Sequence, residues 1–434
     1  MPISGFPEWL PSQRMIEQYV LDKIRSTFEL YGFAPLETRA VEPLDTLLSK
    51  GETSKEVYLL RRLQDSGDAA PKSDDQLGLH FDLTVPFARF VTENHGKLQF
   101  PFRRYQIQKV WRGERPQEGR YREFLQADID VVNRDTLPFH FDTEMPLVIG
   151  DVFRSLPIPA ATILVNNRKV CEGFYRGLGL EDTAQVLRTV DKLDKIGPDK
   201  VAALLTETAG ATDAQAAACL ALAAISSTDG SFADRVRALG VDDPMLDEGL
   251  AELLQVVEAA PGLVRAELKI ARGLDYYTGT VYETQLQGYE RFGSICSGGR
   301  YENLASVGNT RFPGVGISIG VSRMLGLLFG QNALTVSRSV PTCVLVALPS
   351  DDQRAACDQV ASALRRRGIP TEVAPTAAKF GKQIQFADKR GIPYVWFPGE
   401  PHTVKDIRSG EQVEVDAATW TPPTADLHPA ITGV

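Results

Sequence analysis

Apolar residues recur at steps of three and four positions between residues 12 and 31, which is the spacing of one face of an α-helix. The residues on this face are Ile16, Tyr19, Val20, Ile24, Phe28 and Tyr31. Ser12 is the predicted N-cap of the helix, and Gly32 is predicted to end it. A β-strand is predicted to follow over Ala34–Val41.

The chain then passes through a segment of turn-forming residues. Residues 62–77 are rich in Ser, Asp, Gly and Pro, which predicts a loop. Residues 81–93 are predicted to begin as a strand and to continue as a helix from Pro86, because proline is favoured in the first turn of a helix.

Polar and apolar residues alternate from residue 102 to residue 112, which is typical of a β-strand. A turn bracketed by Gly113 and Gly119 leads to a second strand, predicted from about residue 121 to residue 132. The two strands are predicted to form an antiparallel hairpin with a long basic tip. Three polar residues share one face of the returning strand: Gln126, Asp128 and Asp130.

Residues 181–260 differ from their surroundings because they are alanine-rich, acidic and helical in period, and strand-like sequence resumes at Leu268. After a boundary near residues 331–341, strand and helix patterns alternate, which predicts an α/β domain with a largely parallel sheet. The predicted organisation is a domain over residues 1–330 with a helical insertion at 172–262, a linker at 331–340 and an α/β domain over 341–434.

The composition is that of an ordinary globular protein, with 43% hydrophobic and 24% charged residues in 434. The five cysteines are scattered and form no C-x-x-C pair, so buried, reduced thiols are expected instead of disulfides or a zinc site. The first residues lack the pattern of a secretory signal, and the most apolar stretch, residues 214–225, is too short to cross a bilayer. A cytoplasmic protein without a membrane partner is therefore expected.

The net charge of −9 is concentrated in one segment. Residues 181–267 carry 16 acids and 7 bases, which accounts for the whole imbalance. Residues 103–123 carry 7 bases and 3 acids. Because local fields govern contact with phosphates, the acidic average does not exclude RNA as a partner.

Several short sequences carry candidate chemistry. ARGLDYYTGTVYE, residues 271–283, sets an arginine, a glycine, an acid and two tyrosines ahead of a strand-like segment, which predicts a polar pocket whose guanidinium faces an anion. RRYQIQKVWRGERPQEGRYREFLQADIDVV, residues 103–132, places Arg112 at the entry to the hairpin turn and Phe124 on the return arm, where its ring could stack on a purine. PGVGISIGVSRML offers closely spaced glycines along a strand, with Arg323 near the start of a helix.

With FDLTVP and SGGRYENL, these sequences occur in the order found in histidyl-tRNA synthetases, and the chain resembles that family from residue 6 to residue 328, with a softer match beyond Pro341. The resemblance implies a class II synthetase fold: an α+β catalytic domain with a mixed, mainly antiparallel sheet, a helical insertion and a C-terminal α/β anticodon-binding domain. It implies activation of L-histidine by ATP to histidyl-adenylate and transfer to the 3′ end of tRNA-His by a homodimer. Mg²⁺ would accompany the ATP phosphates, and neither a permanently bound cofactor nor a protein-bound metal is expected.

The resemblance also assigns roles to individual residues. The catalytic arginines would be Arg112, Arg272 and Arg323. The histidine site would comprise Asp82, Thr84 and Gln126 on the α-ammonium side, Asp130 and Tyr277 at the imidazole, Arg272 at the carboxylate, and Tyr276. The ATP site would comprise Arg112, Glu114, Arg120, Tyr121, Phe124 and Arg323. The acceptor end of tRNA would meet Arg115 and Arg122.

Histidine makes a specific demand on such a site. A neutral imidazole has one donor and one acceptor nitrogen, so a carboxylate and a tyrosine hydroxyl together satisfy both. Analogues that leave a buried polar group unpaired are then rejected by about 10⁴-fold without editing.

Each residue also has a plain structural explanation. Arg112 alone would suggest a surface salt bridge, Asp130 a solvated strand face, and Tyr276 and Tyr277 core aromatics. The shared order of the motifs outweighs these readings. Two departures from the family pattern stand out: His80 replaces a usual arginine, which would weaken any ion pair at that position, and Ser322 replaces an acid found in many relatives.

Two other functions stay open. A synthetase-like regulatory subunit of histidine biosynthesis shares the catalytic fold but activates a phosphoribosyltransferase. A stand-alone activator would pass the amino acid to a carrier protein. The presence of Arg272 argues against the first, and a C-terminal α/β domain argues against both.

Overall fold

The structure is a computed structural model that describes residues 3–48, 56–62, 76–270, 277–303 and 305–433. The chain divides into two compact units. The first comprises Met1–Pro7 and Asp22–Leu327, and the second comprises Glu8–Leu21 and Leu328–Val434.

The helices up to residue 330 are α1 (Pro11–Leu30), α2 (Leu44–Leu48), α3 (Thr84–Asn94), α4 (His140–Arg154), α5 (Arg168–Gly177), α6 (Thr183–Val190), α7 (Leu193–Ile196), α8 (Pro198–Ala209), α9 (Asp213–Ala223), α10 (Ser231–Arg237), α11 (Pro244–Ala259) and α12 (Val321–Gly330). The strands are β1 (Ala34–Pro35), β2 (Val41–Pro43), β3 (Leu59–Leu60), β4 (Leu77–Leu79), β5 (Phe102–Trp111), β6 (Glu123–Val132), β7 (Ala161–Asn167), β8 (Ser226–Ser227), β9 (Val264–Glu267), β10 (Thr280–Leu286), β11 (Cys296–Tyr301), β12 (Ser306–Val307), β13 (Thr310–Arg311) and β14 (Gly314–Gly320).

Within the described residues, nine strands form the main sheet in the order β1-β5-β6-β14-β11-β10-β7-β9-β8. Only β1 with β5 and β7 with β9 run parallel among these strands. The predicted hairpin is confirmed, because β5 and β6 pair antiparallel with Arg104 opposite Asp130. The next pairing sets Asp130 opposite Gly316 on β14. The mixed, mainly antiparallel sheet of a class II synthetase is therefore confirmed.

The start of the first helix differs from the prediction. Pro11 is its first residue, and the N–H of Leu10 donates to Gln13 Oε1 at 3.1 Å, so Ser12 lies inside the first turn and is not the cap. The predicted strand over Ala34–Val41 is also wrong as one element. Ala34–Pro35 pairs with β5, whereas Val41 begins β2 of a separate three-stranded sheet.

The predicted strand at Phe81 is absent from the described residues there. β4 ends at Leu79, and α3 begins at Thr84, two residues before Pro86. The side chain of Asp82 accepts the N–H of Val85 at 3.0 Å, which supports the start of this helix. Most of the predicted loop over residues 62–77 lies outside the described residues, and Leu77 already belongs to β4.

The acidic segment folds as helices α6 to α11, as its periodicity predicts. It also contains the short strand β8, which pairs antiparallel with β9. Strand structure resumes at Val264, earlier than the predicted Leu268, because β9 pairs parallel with β7. This pairing joins the end of the segment to the main sheet.

The second unit contains α13 (Arg354–Arg366), α14 (Phe380–Lys389), α15 (Thr424–Leu427), β15 (Leu334–Val336), β16 (Val344–Val346), β17 (Thr371–Val373), β18 (Tyr394–Phe397), β19 (Thr403–Asp406), β20 (Gln412–Glu414) and β21 (Ile431–Gly433). Its five-stranded sheet has the order β17-β16-β18-β19-β20. The α/β pattern is confirmed, with β16 parallel to β17 and β18. The sequence did not predict the antiparallel β19 and β20.

Two other sequence predictions have structural outcomes. All five cysteines are buried and free, as expected. In the part of the chain that the structure describes, no helix has the length and apolar character needed to cross a membrane.

Candidate active site

A small polar pocket lies beside the carboxyl half of β6. It brings together three residues expected at the histidine site: Thr84, Asp130 and Tyr277. Its other lining residues are Asp128, Ser297, Gly298, Tyr301, Gly316, Ile317 and Ser318. Most of the residues that line this pocket are polar, which suits a small polar ligand such as an amino acid.

Asp130 is buried, not solvated, and its carboxylate is engaged on both oxygens. Arg104 Nη2 lies 2.6 Å from Oδ2, and the hydroxyl of Tyr301 donates to Oδ1 at 2.8 Å. Burial raises the pKa of Asp130 to about 6, while the charge of Arg104 and the Tyr301 hydrogen bond oppose the rise. The pocket therefore holds a carboxylate in a fixed orientation.

Asp128 is a second pocket carboxylate that sequence reasoning placed on the right face but gave no role. It accepts a hydrogen bond from the hydroxyl of Ser318, which in turn accepts from Gln126 Nε2 at 2.8 Å. Burial raises the pKa of Asp128 to about 7. The alternation Gln126, Asp128, Asp130 was the available signal. Gln126 does not line the pocket itself and reaches it through Ser318.

Glycines let the strands pass close to these carboxylates. A Cβ added at Gly316 would lie 2.1 Å from Asp130 Oδ1 and 2.6 Å from the carbonyl oxygen of Ile129. A Cβ at Gly298 would lie 2.1 Å from the carbonyl oxygen of Gly316. Only glycine fits these two positions in this backbone.

Tyr277 forms one wall of the pocket and is 9% exposed. It packs with Leu164, Ile270 and Val281, so it has the core contacts of a structural aromatic as well as access to the pocket. Arg272 and Tyr276, which precede it in the sequence, lie outside the described residues.

The hairpin arranges most of the residues expected at ATP around one guanidinium. Arg112 Nε donates to the carbonyl of Phe81 at 3.2 Å, and its guanidinium lies 5.2 Å from the ring centroid of Phe124. Its Nη1 lies 3.9 Å from Glu114 Oε1. Arg120 Nη1 also contacts Glu114, at 3.4 Å. Four residues expected at ATP thus form one cluster at the base of the hairpin tip: Arg112, Glu114, Arg120 and Phe124.

The remaining hairpin residues lie around this cluster. Arg122 Nε donates to the carbonyl of Glu114 at 3.1 Å, whereas Arg115 is exposed. Burial raises the pKa of Tyr121. A Cβ at Gly326 would lie 2.3 Å from the Tyr121 hydroxyl oxygen, so the ring lies against α12.

Asp82 connects the pocket side to the hairpin cluster. It supports the first turn of α3, and it directly follows Phe81, whose carbonyl binds Arg112. Burial raises the pKa of Asp82, and the Arg112 charge opposes that rise. Asp82 itself does not line the pocket.

Arg323 is the third residue of α12, and its Nη2 donates to the carbonyl of Phe292. The preceding residue has a clear structural function. The hydroxyl of Ser322 accepts the N–H of Leu125 at 2.9 Å, which joins α12 to β6. At the position where the family pattern predicts an acid, a neutral group thus satisfies a backbone donor.

The substitution Ser322→Ala is expected to lower the free energy of unfolding by about 1–2 kcal/mol, because it leaves the Leu125 N–H unpaired. Urea unfolding measures the change. The control is Ser26→Ala, at an exposed serine whose hydroxyl donates to the carbonyl of Lys23. It should change the free energy of unfolding by less than about 0.5 kcal/mol. Equal effects in the two variants would contradict the assigned role.

His80, at the position where the family pattern predicts an arginine, is fully buried. Its Nε2 lies 2.6 Å from the carbonyl oxygen of Lys109, and its ring centroid lies 5.5 Å from that of Trp111. Burial lowers the pKa of His80, so the ring is neutral at pH 7 and donates to the Lys109 carbonyl. A neutral donor therefore occupies the place of a cation.

Across the described ranges, no group of three or more His, Cys, Asp or Glu side chains is placed to hold a metal ion. Two carboxylates do lie near Arg112. Burial raises the pKa of Glu56, and the neighbouring charge of Glu114 adds to this rise.

Comparison with known proteins gives consistent results. The family described as histidyl-tRNA synthetase matches residues 5–324, and the family described as anticodon binding domain matches residues 342–419. A histidine–tRNA ligase of Cutibacterium acnes is 59% identical over 100% of this chain and 98% of its own length. That of Micrococcus luteus is 58% identical over 99% of this chain and 98% of its own.

Solved structures agree with these matches. The crystal structure of histidyl-tRNA synthetase from Nostoc sp. PCC 7120 has a TM-score of 0.85 and 36% identity, covering 96% of this chain and 97% of that chain. A structure from Bacillus halodurans, described as an ATP phosphoribosyltransferase regulatory subunit/histidyl-tRNA synthetase, has a TM-score of 0.72, covers 89% of this chain and 96% of that chain, and at 17% identity shows the fold alone. The chain therefore belongs to the histidyl-tRNA synthetase family.

Proposed function

We propose that the protein is a histidine–tRNA ligase that activates L-histidine with ATP and transfers it to the 3′ end of tRNA-His. The family match and the full-length relatives place it among aminoacyl-tRNA ligases with ATP as a substrate. The observation that carries the proposal is the small polar pocket with two carboxylates, Asp128 and Asp130, on β6, which pairs with the strand β5 that leads to Arg112.

The reaction has two steps. A carboxylate oxygen of histidine attacks the α-phosphorus of ATP, and pyrophosphate leaves. The 3′-hydroxyl of the terminal ribose then attacks the histidyl carbonyl, loses its proton, and AMP leaves. Arg112, Arg272 and Arg323 would stabilise the charge on the phosphates, so catalysis rests on positioning and electrostatics without a protein nucleophile.

Histidine would enter the pocket with its imidazole toward Asp130 and Tyr277. The oxygens of Asp130 are pure acceptors when ionised, and a tyrosine hydroxyl donates or accepts, so the pair suits one protonated and one bare ring nitrogen. The α-ammonium group would lie on the side of Asp82, Thr84 and Gln126. Asp128 provides a further negative charge in the same pocket.

ATP would occupy the open side of the hairpin, with adenine against Phe124 and near Glu114, and with Arg120 and Tyr121 at its border. The cluster around Arg112 supports this placement. Arg115 and Arg122 would meet the acceptor end of tRNA. The domain over residues 341–434 would bind the anticodon, beyond the linker at 331–340 and separate from the catalytic domain over 1–330 and its insertion at 172–262.

Three further properties belong to the proposal. Mg²⁺ would come with the ATP phosphates, near the carboxylates of Glu56 and Glu114, because Mg²⁺ usually combines one or two carboxylates with substrate phosphates. The active form would be a homodimer, since the first helix and strand resemble the family's interface motif. The protein would work in the cytoplasm.

The alternative of a regulatory subunit is not favoured. Relatives that share more than half of their residues with this chain carry the name histidine–tRNA ligase, whereas the regulatory-subunit structure shares 17%.

The test is exchange of radiolabelled pyrophosphate into ATP, measured with each of the twenty amino acids in the absence of tRNA. Exchange that depends on histidine alone is the expected result. Folded protein that shows no exchange with histidine and Mg²⁺ present would overturn the proposal.

The substitution Asp128→Asn is expected to raise the melting temperature at pH 8 more than at pH 5. The folded protein raises the pKa of Asp128 from 3.8 to about 7, so it binds this proton more tightly than the unfolded chain does. The charged carboxylate therefore destabilises the fold above pH 7, and this cost disappears as the pH falls toward 4. Thermal unfolding at the two pH values measures the effect.

A matched control is Asp358→Asn, at an exposed aspartate. It should change the melting temperature little and equally at both pH values. A gain for Asp128→Asn that is larger at pH 5 would contradict the assignment. The Asp128→Asn variant should also raise the KM for histidine, because the pocket loses a negative charge.

A further inference from the structure

The face of the hairpin that carries the pocket carboxylates also carries a buried arginine without an assigned role. Arg104 lies on β5 directly opposite Asp130 and is 0% exposed. A buried guanidinium is costly unless its charge is paired, so its retention at this place calls for an explanation.

The contacts of Arg104 join a pocket carboxylate to the start of α3, and its Nη1 also lies 3.4 Å from Gln106 Oε1. Nη2 lies 2.6 Å from Asp130 Oδ2 and 3.4 Å from the carbonyl oxygen of Leu83. Leu83 directly precedes Thr84, the pocket residue that starts α3. The guanidinium carbon lies 4.3 Å from the ring centroid of Phe87 on the same helix. One cation thus joins the Asp130 carboxylate to the helix start on the other side of the pocket.

We propose that Arg104 is a positioning residue for histidine: it acts through Asp130, holding that carboxylate in one orientation and keeping it anionic, while it fixes the α3 start beside it. The inference rests on the proposed function of the pocket. Arg104 does not line the pocket, so it contacts no substrate. With Arg104 on Oδ2 and Tyr301 on Oδ1, Asp130 cannot rotate, and its remaining lone pairs face a fixed direction.

The charges around Asp130 show why the cation matters. Tyr301 on β11 donates to Asp130. Asp128, on β6 with Asp130, and Asp82, before α3, add negative charge nearby. Tyr277 lies next to Tyr301, and β14 presents only Gly316 at this point. Among the described residues, Arg104 is therefore the positive charge that faces the carboxylate, and its removal would raise the pKa of Asp130 further.

The experiment measures histidine-dependent pyrophosphate exchange by the full-length chain across pH 6 to 9. Arg104→Met should raise the KM for histidine about 10- to 100-fold, the loss that outer partners of ligating groups typically cause. The KM for ATP should stay within about twofold, because Arg104 does not contact the hairpin cluster. The rise in histidine KM on acidification should begin at a higher pH than in the unmodified protein. Arg104→Lys should recover part of the lost histidine affinity, since lysine keeps the charge but lacks the planar set of N–H donors of a guanidinium.

Arg103→Met is the matched control. Arg103 is the neighbouring arginine on the opposite face of β5, paired with Glu144 at 3.0 Å, and its loss should leave the histidine KM and its pH profile unchanged. The double variant Arg104→Met/Asp130→Asn should have the same histidine KM as Asp130→Asn alone. Because it removes both charges of the buried pair, it leaves no unpaired charge and can be measured even if Arg104→Met does not fold.

Four outcomes separate the possibilities. Additive losses in the double variant, or an unchanged histidine KM in Arg104→Met, would overturn the positioning role. Equal losses in the KM for histidine and for ATP would also overturn it. Absence of histidine-dependent exchange in the unmodified protein would instead overturn the proposed function.

Discussion

Arg112→Ala is expected to lower the rate of histidine-dependent pyrophosphate exchange by about 10²–10³-fold, the usual loss when one preorganised donor to a developing charge is removed. Arg112 is held from three sides: its Nε donates to Phe81, its guanidinium lies near the ring of Phe124, and Glu114 lies 3.9 Å from Nη1. A guanidinium fixed in this way needs no reorganisation when the α-phosphate gains charge. Steady-state exchange at saturating histidine and ATP measures the loss.

Arg134→Ala is the control for this substitution, because Arg134 also lies over a phenylalanine ring, 4.9 Å from the centroid of Phe100, at the far end of the same hairpin. Its exchange rate should equal that of the unmodified protein. The exchange rate of Arg112→Lys should lie between those of Arg112→Ala and the unmodified protein, since a lysine keeps the charge but lacks the planar donors. A rate within tenfold of the unmodified protein for Arg112→Ala would remove Arg112 from the catalytic step.

The local pattern of the sequence predicted the elements around this site better than it predicted their contacts. Alternation identified the strands of the hairpin, and the motifs identified Asp130 and Arg112. Arg104 and Tyr301 remained without a role, because their contacts with Asp130 depend on which strands pair and in which register. Tyr301 is 171 residues away from Asp130 in sequence, and no local pattern relates the two.

Burial was the second property that the sequence could not supply. Taken alone, the alternating polar residues on β6 suggested a solvated strand face, yet Asp128 and Asp130 are each 3% exposed. Neighbouring strands and α3 enclose that face, so the raised pKa values arise from tertiary packing. The predicted strand over Ala34–Val41 was wrong because its two ends pair with different sheets, which tertiary packing also decides.

Gly316→Ala is expected to weaken histidine binding about 100-fold although every polar side chain of the pocket is kept. The added Cβ would lie 2.1 Å from Asp130 Oδ1 and 2.6 Å from the Ile129 carbonyl oxygen, so either the carboxylate or β14 must move. Overpacking of this kind costs about 1–3 kcal/mol, and a tenfold loss of affinity corresponds to about 1.4 kcal/mol. The KM for histidine in pyrophosphate exchange and the melting temperature measure the two consequences.

Gly96→Ala is the control for Gly316→Ala, because a Cβ at Gly96 meets nothing within 4 Å, and it should leave both quantities unchanged. A second variant separates the two obstacles. Gly316→Ala/Asp130→Ala removes the carboxylate but keeps the Ile129 carbonyl, so it should regain part of the lost melting temperature while histidine binding stays weak. If Gly316→Ala binds histidine as tightly as the unmodified protein, the close approach of β14 to Asp130 has no part in shaping the pocket, and the orientation of that carboxylate must be set by Arg104 and Tyr301 alone.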